Sequence, residues 1–275
     1  MKKPVHRSIK IVDIAKEPLK RLPYQTAAPN GKGIAYKVLP IYWGEMVGLP
    51  KELDALVVTS DLQGVIDHEQ KLLGEGLTDT LAQLFETHFS DLNPSKVVVC
   101  LCGDLYVDPL KRGSSGNPLS VWQAFHSKFG VVAGIAGNHD VFSCEARAIL
   151  DATAGIHFFP KAGKLHCGEM TIAALGGVIG RADKSNRMSE ADYLTHLRQL
   201  LRQNPAILLL HESPEVRLHR QPGNASIWNE LQQASNLIVC CGHVHWDTEM
   251  VECDNGLQIL NTDGRAFIFT KASLD

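Results

Sequence analysis

Eight apolar runs of four to six residues, at 55–59, 97–102, 131–136, 170–175, 206–210, 237–241, 257–260 and 266–270, set the terms on which this chain can fold. They are rich in Val, Ile, Leu and Cys, and most lack alternation with polar residues. A strand with one wet face alternates, whereas a strand covered on both faces does not. The runs therefore predict strands buried on both sides, with further layers of sheet or helix packed against them.

Helical periodicity separates several of the runs. Leu77, Leu81, Leu84 and Phe85 share one face, and so do Val121, Trp122, Phe125 and Phe129, a set that ends at Gly130. A third helix is predicted to start at Ser189, with Asp192 three residues on and Leu194, Leu197 and Leu201 turned inward. A fourth follows Ser226 and carries Ile227, Leu231 and Ala234. Strands and helices alternate in the middle of the chain, and turns such as Asp263-Gly264 join the last strands, which predicts an α/β layered fold with a mixed sheet system. The first fifty or so residues hold a candidate strand at 8–14 and a segment punctuated by Pro and Gly, and an added hairpin that covers an edge or shapes the pocket is one reading of them. No repeat or linker divides the chain, so residues 1–275 are expected to form a single domain. Within it, 1–54 would be an extension packed on a core of 55–265.

Five polar clusters follow five of the apolar runs: Ser60-Asp61-Leu62-Gln63-Gly64, Gly103-Asp104-Leu105, Gly137-Asn138-His139-Asp140, Leu210-His211-Glu212 and Gly242-His243-Val244-His245. Asp, Asn, Gln and His supply oxygen and nitrogen ligands to divalent cations. In open α/β sheets, ligands bind beyond the carboxyl ends of the strands, where all five clusters fall. Asp61 with Gln63, and His243 with His245, are i,i+2 pairs that face one side of an extended segment, roughly 6–7 Å apart. Such pairs can straddle two ions about 3.5–4 Å apart. Asp104 is the natural bridge, because its carboxylate can give one oxygen to each ion.

The balance of 27 basic against 30 acidic residues gives no reason to expect nucleic acid or an anionic membrane as an obligate partner. No run approaches the length of a membrane span. Seven cysteines occur without a C-x-x-C motif, and Cys100, Cys102, Cys240 and Cys241 lie inside apolar runs. Core packing in a reducing compartment accounts for them, so a cytoplasmic location is expected.

The ordered set D-x-[H/Q], G-D, G-N-H-[D/E], H, G-H-x-H resembles the calcineurin-like metallophosphoesterase superfamily over residues 55–265. The resemblance implies a four-layer αββα sandwich, with two mixed β-sheets flanked by helices, around a two-metal centre. It implies that Asp61, Gln63, Asp104 and His245 hold one ion, and that Asp104, Asn138, His211 and His243 hold the other. His139 would stay off the metals, facing the substrate and protonating the leaving oxygen, with Asp140 or another carboxylate orienting it. Where the first motif usually reads D-x-H, this chain carries Gln63. An amide oxygen is a harder donor than imidazole, which favours manganese or iron, with zinc also able to bind.

The function expected from this resemblance is hydrolysis of a small phosphomonoester or phosphodiester by water that the metals activate. Arg181 and Arg187, in the Gly-rich stretch after the 170–175 run, are candidates for gripping a phosphate oxygen. The alternatives are a nucleotide phosphodiesterase or pyrophosphatase, a phosphoprotein phosphatase, and a catalytically idle scaffold of the same fold. The sequence leaves the oligomeric state open.

Overall fold

The computed structural model describes residues 9–66 and 70–272. The chain opens with β1 (Lys10–Ile14), β2 (Lys20–Ala27), β3 (Ile34–Val47) and β4 (Ala55–Thr59). Strands and helices then alternate through α1 (Leu73–Thr87), β5 (Val97–Leu101), α2 (Leu119–Lys128), β6 (Val131–Ile135), α3 (Cys144–Ala152) and β7 (Ile156–Phe159). Next come β8 (Ala162–Cys167), β9 (Met170–Leu175), β10 (Val178–Ile179), β11 (Arg187–Met188), α4 (Glu190–Leu201) and β12 (Ile207–Glu212). The last elements are α5 (Ala225–Leu231), β13 (Ile238–Gly242), β14 (Met250–Glu252), β15 (Gln258–Asn261) and β16 (Ala266–Lys271).

Two large mixed sheets result. The first has eight strands in the order β1-β3-β16-β4-β5-β6-β7, with β2 paired to β3, and its β4-β5-β6-β7 half is parallel. The second runs β14-β15-β13-β12-β9-β8, with β9, β12, β13 and β15 parallel. Successive side chains of a strand point to opposite faces, and the burial follows that rule. Leu56, Val58, Val98 and Cys100 pack between the sheets against Ile172, Leu209 and Cys240. Val57, Val97, Val99 and Leu101 pack outward against Leu77 and Leu81 of α1 and Trp122 of α2. On the far side, Leu208, Leu210, Val239 and Cys241 meet Leu197 of α4 and Leu231 of α5. The expected αββα sandwich is the observed architecture, and both faces of the central strands are dry.

Several boundaries depart from the sequence reading. The expected strand at 8–14 is observed as β1, starting at Lys10, and Ser8 lies outside the described residues. Helix α5 begins before Ser226, because the Asn224 side chain accepts from the amides of Ser226 and Ile227 and caps it there. Helix α3 has no counterpart among the predicted helices. It buries only Ala146 and Leu150 and leaves Ile149 exposed, so few large apolar side chains mark it. The stretch punctuated by Pro and Gly is the β2–β3 hairpin. Pro23 sits in the edge strand β2, and Pro40 lies where β3 has β2 as its sole neighbour, so neither removes a central ladder bond.

Candidate metal centre

The five clusters meet where the carboxyl ends of β4, β5, β6, β12 and β13 converge. Asp61, Asp104 and His243 each adopt left-handed backbone conformations, with φ of 53°, 55° and 68°. For a residue with a Cβ this costs roughly 1–2 kcal/mol, and the surrounding hydrogen bonds hold it. The Asp61 amide donates to the Gly103 carbonyl (2.9 Å), and Asp61 Oδ2 accepts from the Ser60 hydroxyl (2.6 Å) and the His243 amide (3.0 Å). Strands of both sheets are thereby tied at one carboxylate.

The loops after β5 and β6 lie back to back. A Cβ on Gly103 would come within 2.4 Å of the Gly137 nitrogen, and one on Gly137 within 2.1 Å of Asp104 Oδ1. Only glycine permits that approach. Asp140 locks the seam from behind. Its buried carboxylate accepts from the amides of Asp104 (2.7 Å), Leu105 (2.8 Å) and Gly137 (2.9 Å). Burial, with the charge of Asp104 nearby, pushes Asp140 up to about 7. Both oxygens being engaged inward, Asp140 positions backbone and does not orient the His139 ring. That ring instead has Nδ1 3.3 Å from the Ser115 hydroxyl, while the His139 amide donates to Asp104 Oδ1 (2.8 Å). Ser115 comes from the irregular segment between β5 and α2, whose sequence carries no periodic signal.

Asp104, His211 and His243 bring ligand atoms within 4.8 Å of one another. His211 is buried, and its Nδ1 lies 2.8 Å from the Cys102 carbonyl. A carbonyl only accepts, so Nδ1 carries hydrogen and Nε2 is the nitrogen left to face the centre. Nε2 lies 3.3 Å from Asp104 Oδ2. Buried Nε2 of His211 and Oδ1 of Asn138 have no hydrogen-bond partner. Leaving such an atom unpaired costs about 1–3 kcal/mol. A divalent cation would satisfy both, so the donor set fits the metal that the motifs imply.

Electrostatics agree with that fit. Burial opposes the charged form of His211, yet Asp104 and Asp61 raise it to about 10. Burial likewise works against Asp104, but His211 holds its carboxyl below the usual range. In the metal-free protein a proton on His211 thus does part of the cation's work. Partial enclosure and the positive charge of His211, 5.1 Å away between ring centroids, lower His243 to about 4 and keep its lone pair free.

The remaining candidate ligands are arranged differently. Gln63 Nε2 lies 3.3 Å from Asp104 Oδ2, and rotation of the amide would present its oxygen instead. Burial and Asp263 raise Asp61 well above the carboxylate range. His245 is exposed and stands outside the Asp104 cluster. Its Nδ1 pairs with Asp263 Oδ2 (2.8 Å), and its Nε2 lies 3.3 Å from Arg265 Nη2. Arg265 is buried and donates to Asn261 Oδ1 (2.9 Å) and the Trp246 carbonyl (2.6 Å). Asp263 and Arg265 were not singled out from sequence, where Asp263-Gly264 reads simply as a turn.

Of the two candidate arginines, Arg187 sits at the start of β11 beside Gly180, and its charge is felt by His243 and Glu212. Arg181 is instead paired with Asp183 (2.6 Å) on the surface. Asn186 fastens the loop that bears both, donating to the Gly137 carbonyl (2.9 Å) and to that of Asp140. Cys100, Cys240 and Cys241 in the strands, and Cys102 just past the end of β5, are buried free thiols, as expected of packing residues. Among the described residues, no helix is long and apolar enough to cross a membrane.

The model of the calcineurin-like phosphoesterase family matches residues 55–247. No curated protein matches the chain. Among solved structures, TT1561 of Thermus thermophilus is similar at 14% identity and a TM-score of 0.53, over 77% of this chain and 89% of that one. A novel phosphatase from Mycoplasma pneumoniae is similar at 12% identity and a TM-score of 0.43, over 76% and 71% of the two chains. At 14% identity the likeness to TT1561 concerns the fold alone. With that fold, and with the family match spanning all five clusters, the chain belongs to the calcineurin-like phosphoesterases.

Proposed function

We propose that the chain hydrolyses small phosphomonoesters or phosphodiesters at a centre of two divalent cations, with manganese or iron favoured by the oxygen-rich donor set. Asp61, Gln63, Asp104 and His245 would hold one cation, and Asp104, Asn138, His211 and His243 the other. When bound, the cations supply Lewis acidity, which makes hydroxide available near neutral pH and offsets charge on the phosphoryl oxygens. The carrying observation is the convergence of Asp104, His211 and His243 ligand atoms within 4.8 Å of one another, beside Asn138 Oδ1, which is buried with no hydrogen-bond partner.

The chain's own residues do the rest. His139 carries a proton on its ring, steadied by the Ser115 hydroxyl, and delivers it to the departing oxygen. Asp140 keeps the Asp104 and Gly137 amides in register, so the bridging carboxylate and the proton donor hold a fixed separation. Arg187 adds positive charge beside His243, where a phosphate oxygen can be gripped. We place the activity in one folded unit spanning residues 1–275, in the cytoplasm.

The test is elemental analysis of the purified protein, followed by hydrolysis of p-nitrophenyl phosphate and bis(p-nitrophenyl) phosphate with added manganese. Metal at one equivalent or more and turnover of either ester are expected. Metal below one equivalent with neither ester cleaved would leave the idle scaffold as the better reading.

A further inference from the structure

The family match begins at residue 55, so the β2–β3 hairpin lies outside it. Strand β3 runs for 14 residues but pairs with β16 only from Ile41 to Met46. Its first half, 34–40, projects beyond β16 with β2 as sole partner. The fork between this projection and the start of β16 is a cleft of about 410 Å³. Asp61, Gln63 and His245 line its inner end, and Tyr24, Lys37 and Tyr42 line its outer wall.

The hairpin is fixed against the centre, not loosely beside it. Gln25 and Val65 exchange both backbone hydrogen bonds at 2.8 Å, two residues beyond Gln63. The Tyr24 ring lies on Gly64, where an added Cβ would come within 2.2 Å of the ring. The hairpin turn is held as well, since Arg112, three residues before Ser115, donates to the Pro29 carbonyl. Tyr24 lines the cleft together with Asp61 and Asp263, and its phenol makes no hydrogen bond among the described residues. Lys37 stands directly opposite Tyr24, so the two side chains share a face with Cβ atoms roughly 5 Å apart. The Lys37 side chain is exposed and makes no ion pair or hydrogen bond among the described residues. The cleft therefore offers two unspent donors, one side chain's reach from Gln63.

Resting on the phosphoesterase reading above, we infer that the β2–β3 hairpin is the substrate-recognition wall of the centre. Lys37 and Tyr24 receive a second anionic group carried on the organic part of the phosphate ester. The substrate class is thus a doubly anionic ester, in which the second group is a carboxylate or a further phosphate.

Inert analogues test this without turnover. The full-length protein with manganese is titrated calorimetrically with phenylphosphonate, 4-carboxyphenylphosphonate and 1,4-phenylenediphosphonate. At least one doubly anionic ligand is expected to bind about tenfold tighter than phenylphosphonate, as charge-assisted hydrogen bonds allow. Which of them gains identifies the second group. Lys37→Glu should bring that ratio near one, and Tyr24→Phe, which keeps the ring on Gly64, should reduce it severalfold. Equal affinities for all three ligands in the unmodified protein, or a ratio that survives Lys37→Glu, would overturn the inference alone. If no phosphonate binds, this inference and the phosphoesterase reading fall together.

Discussion

The two halves of the proposed centre are built on opposite principles. Asp104, Asn138 and His211 are buried and issue from the ends of central strands, Asn138 Oδ1 has no hydrogen-bond partner, and the ligand atoms of Asp104 and His211 gather with His243 within 4.8 Å of one another. Gln63 and His245 border an open cleft, and both ring nitrogens of His245 already face partners, Asp263 and Arg265. One half is preorganised by the core. The other must exchange partners when a cation arrives, and the lesson is that a symmetric motif list conceals an asymmetric site.

The sharpest way to break this contrast is His211→Ala. It should remove the cation of the buried half and take turnover below detection, with elemental analysis as the check. Retention of full metal content would mean that the buried half is not the anchor. His139→Ala should keep both metals while kcat on a poor leaving group falls by about 10²–10⁴-fold. Unchanged kcat would remove His139 from the chemistry. In the open half, Asp263→Asn should weaken one of two metal-binding phases by about 10–100-fold in a manganese titration, as loss of a carboxylate behind a ligating histidine does. Gln63→His should move the same phase toward zinc, with a smaller change in total affinity. If Asp263→Asn weakens both phases equally, the halves are not independent.

A pH series refines the comparison further. Burial raises Asp140 to about 7, and Asp104 raises His211 to about 10. For His211, a folded value above the free one of 6.5 contributes stability that is complete below pH 6.5 and is lost as pH climbs through 10. For Asp140, the cost of a buried charge appears as pH climbs from 3.8 through 7. Both signs agree, so the metal-free protein should lose stability between pH 6.5 and 9. Cations displace the His211 proton and relieve the buried charges, so the rise in Tm on adding manganese should grow with pH. A rise that shrinks with pH would contradict the assignment of protons to this half.

Much of this was legible in the sequence for a simple reason. Strands covered on both faces announce themselves as unbroken apolar runs, and polar residues at their ends have nowhere to go but the shared crevice. That logic makes Asp61, Gln63, Asp104, Asn138, His211, His243 and His245 candidates for one crevice, and the structure brings ligand atoms of Asp104, His211 and His243 within 4.8 Å of one another. The logic did not extend to side chains whose direction is set by tertiary contacts. Asp140 adjoins His139, yet its carboxylate turns back to three amides. Ser115 reaches His139 from an aperiodic segment, and Arg265 is drawn beneath His245 by Asn261 and Trp246. A hairpin within the first fifty residues was legible, but its strand limits were not, because Pro23 and Pro40 read as breaks and only the pairing partners reveal that both prolines are harmless there.

The glycine seam between Gly103 and Gly137 limits how this centre can be altered. No methyl group fits on either side of it, so the spacing between Asp104 and Asn138 cannot be adjusted in small steps. Adaptation to another metal or substrate is therefore confined to the rim, at Gln63, His245 and the hairpin. Directed evolution should gather its improvements there and return inactive clones wherever it enlarges the seam.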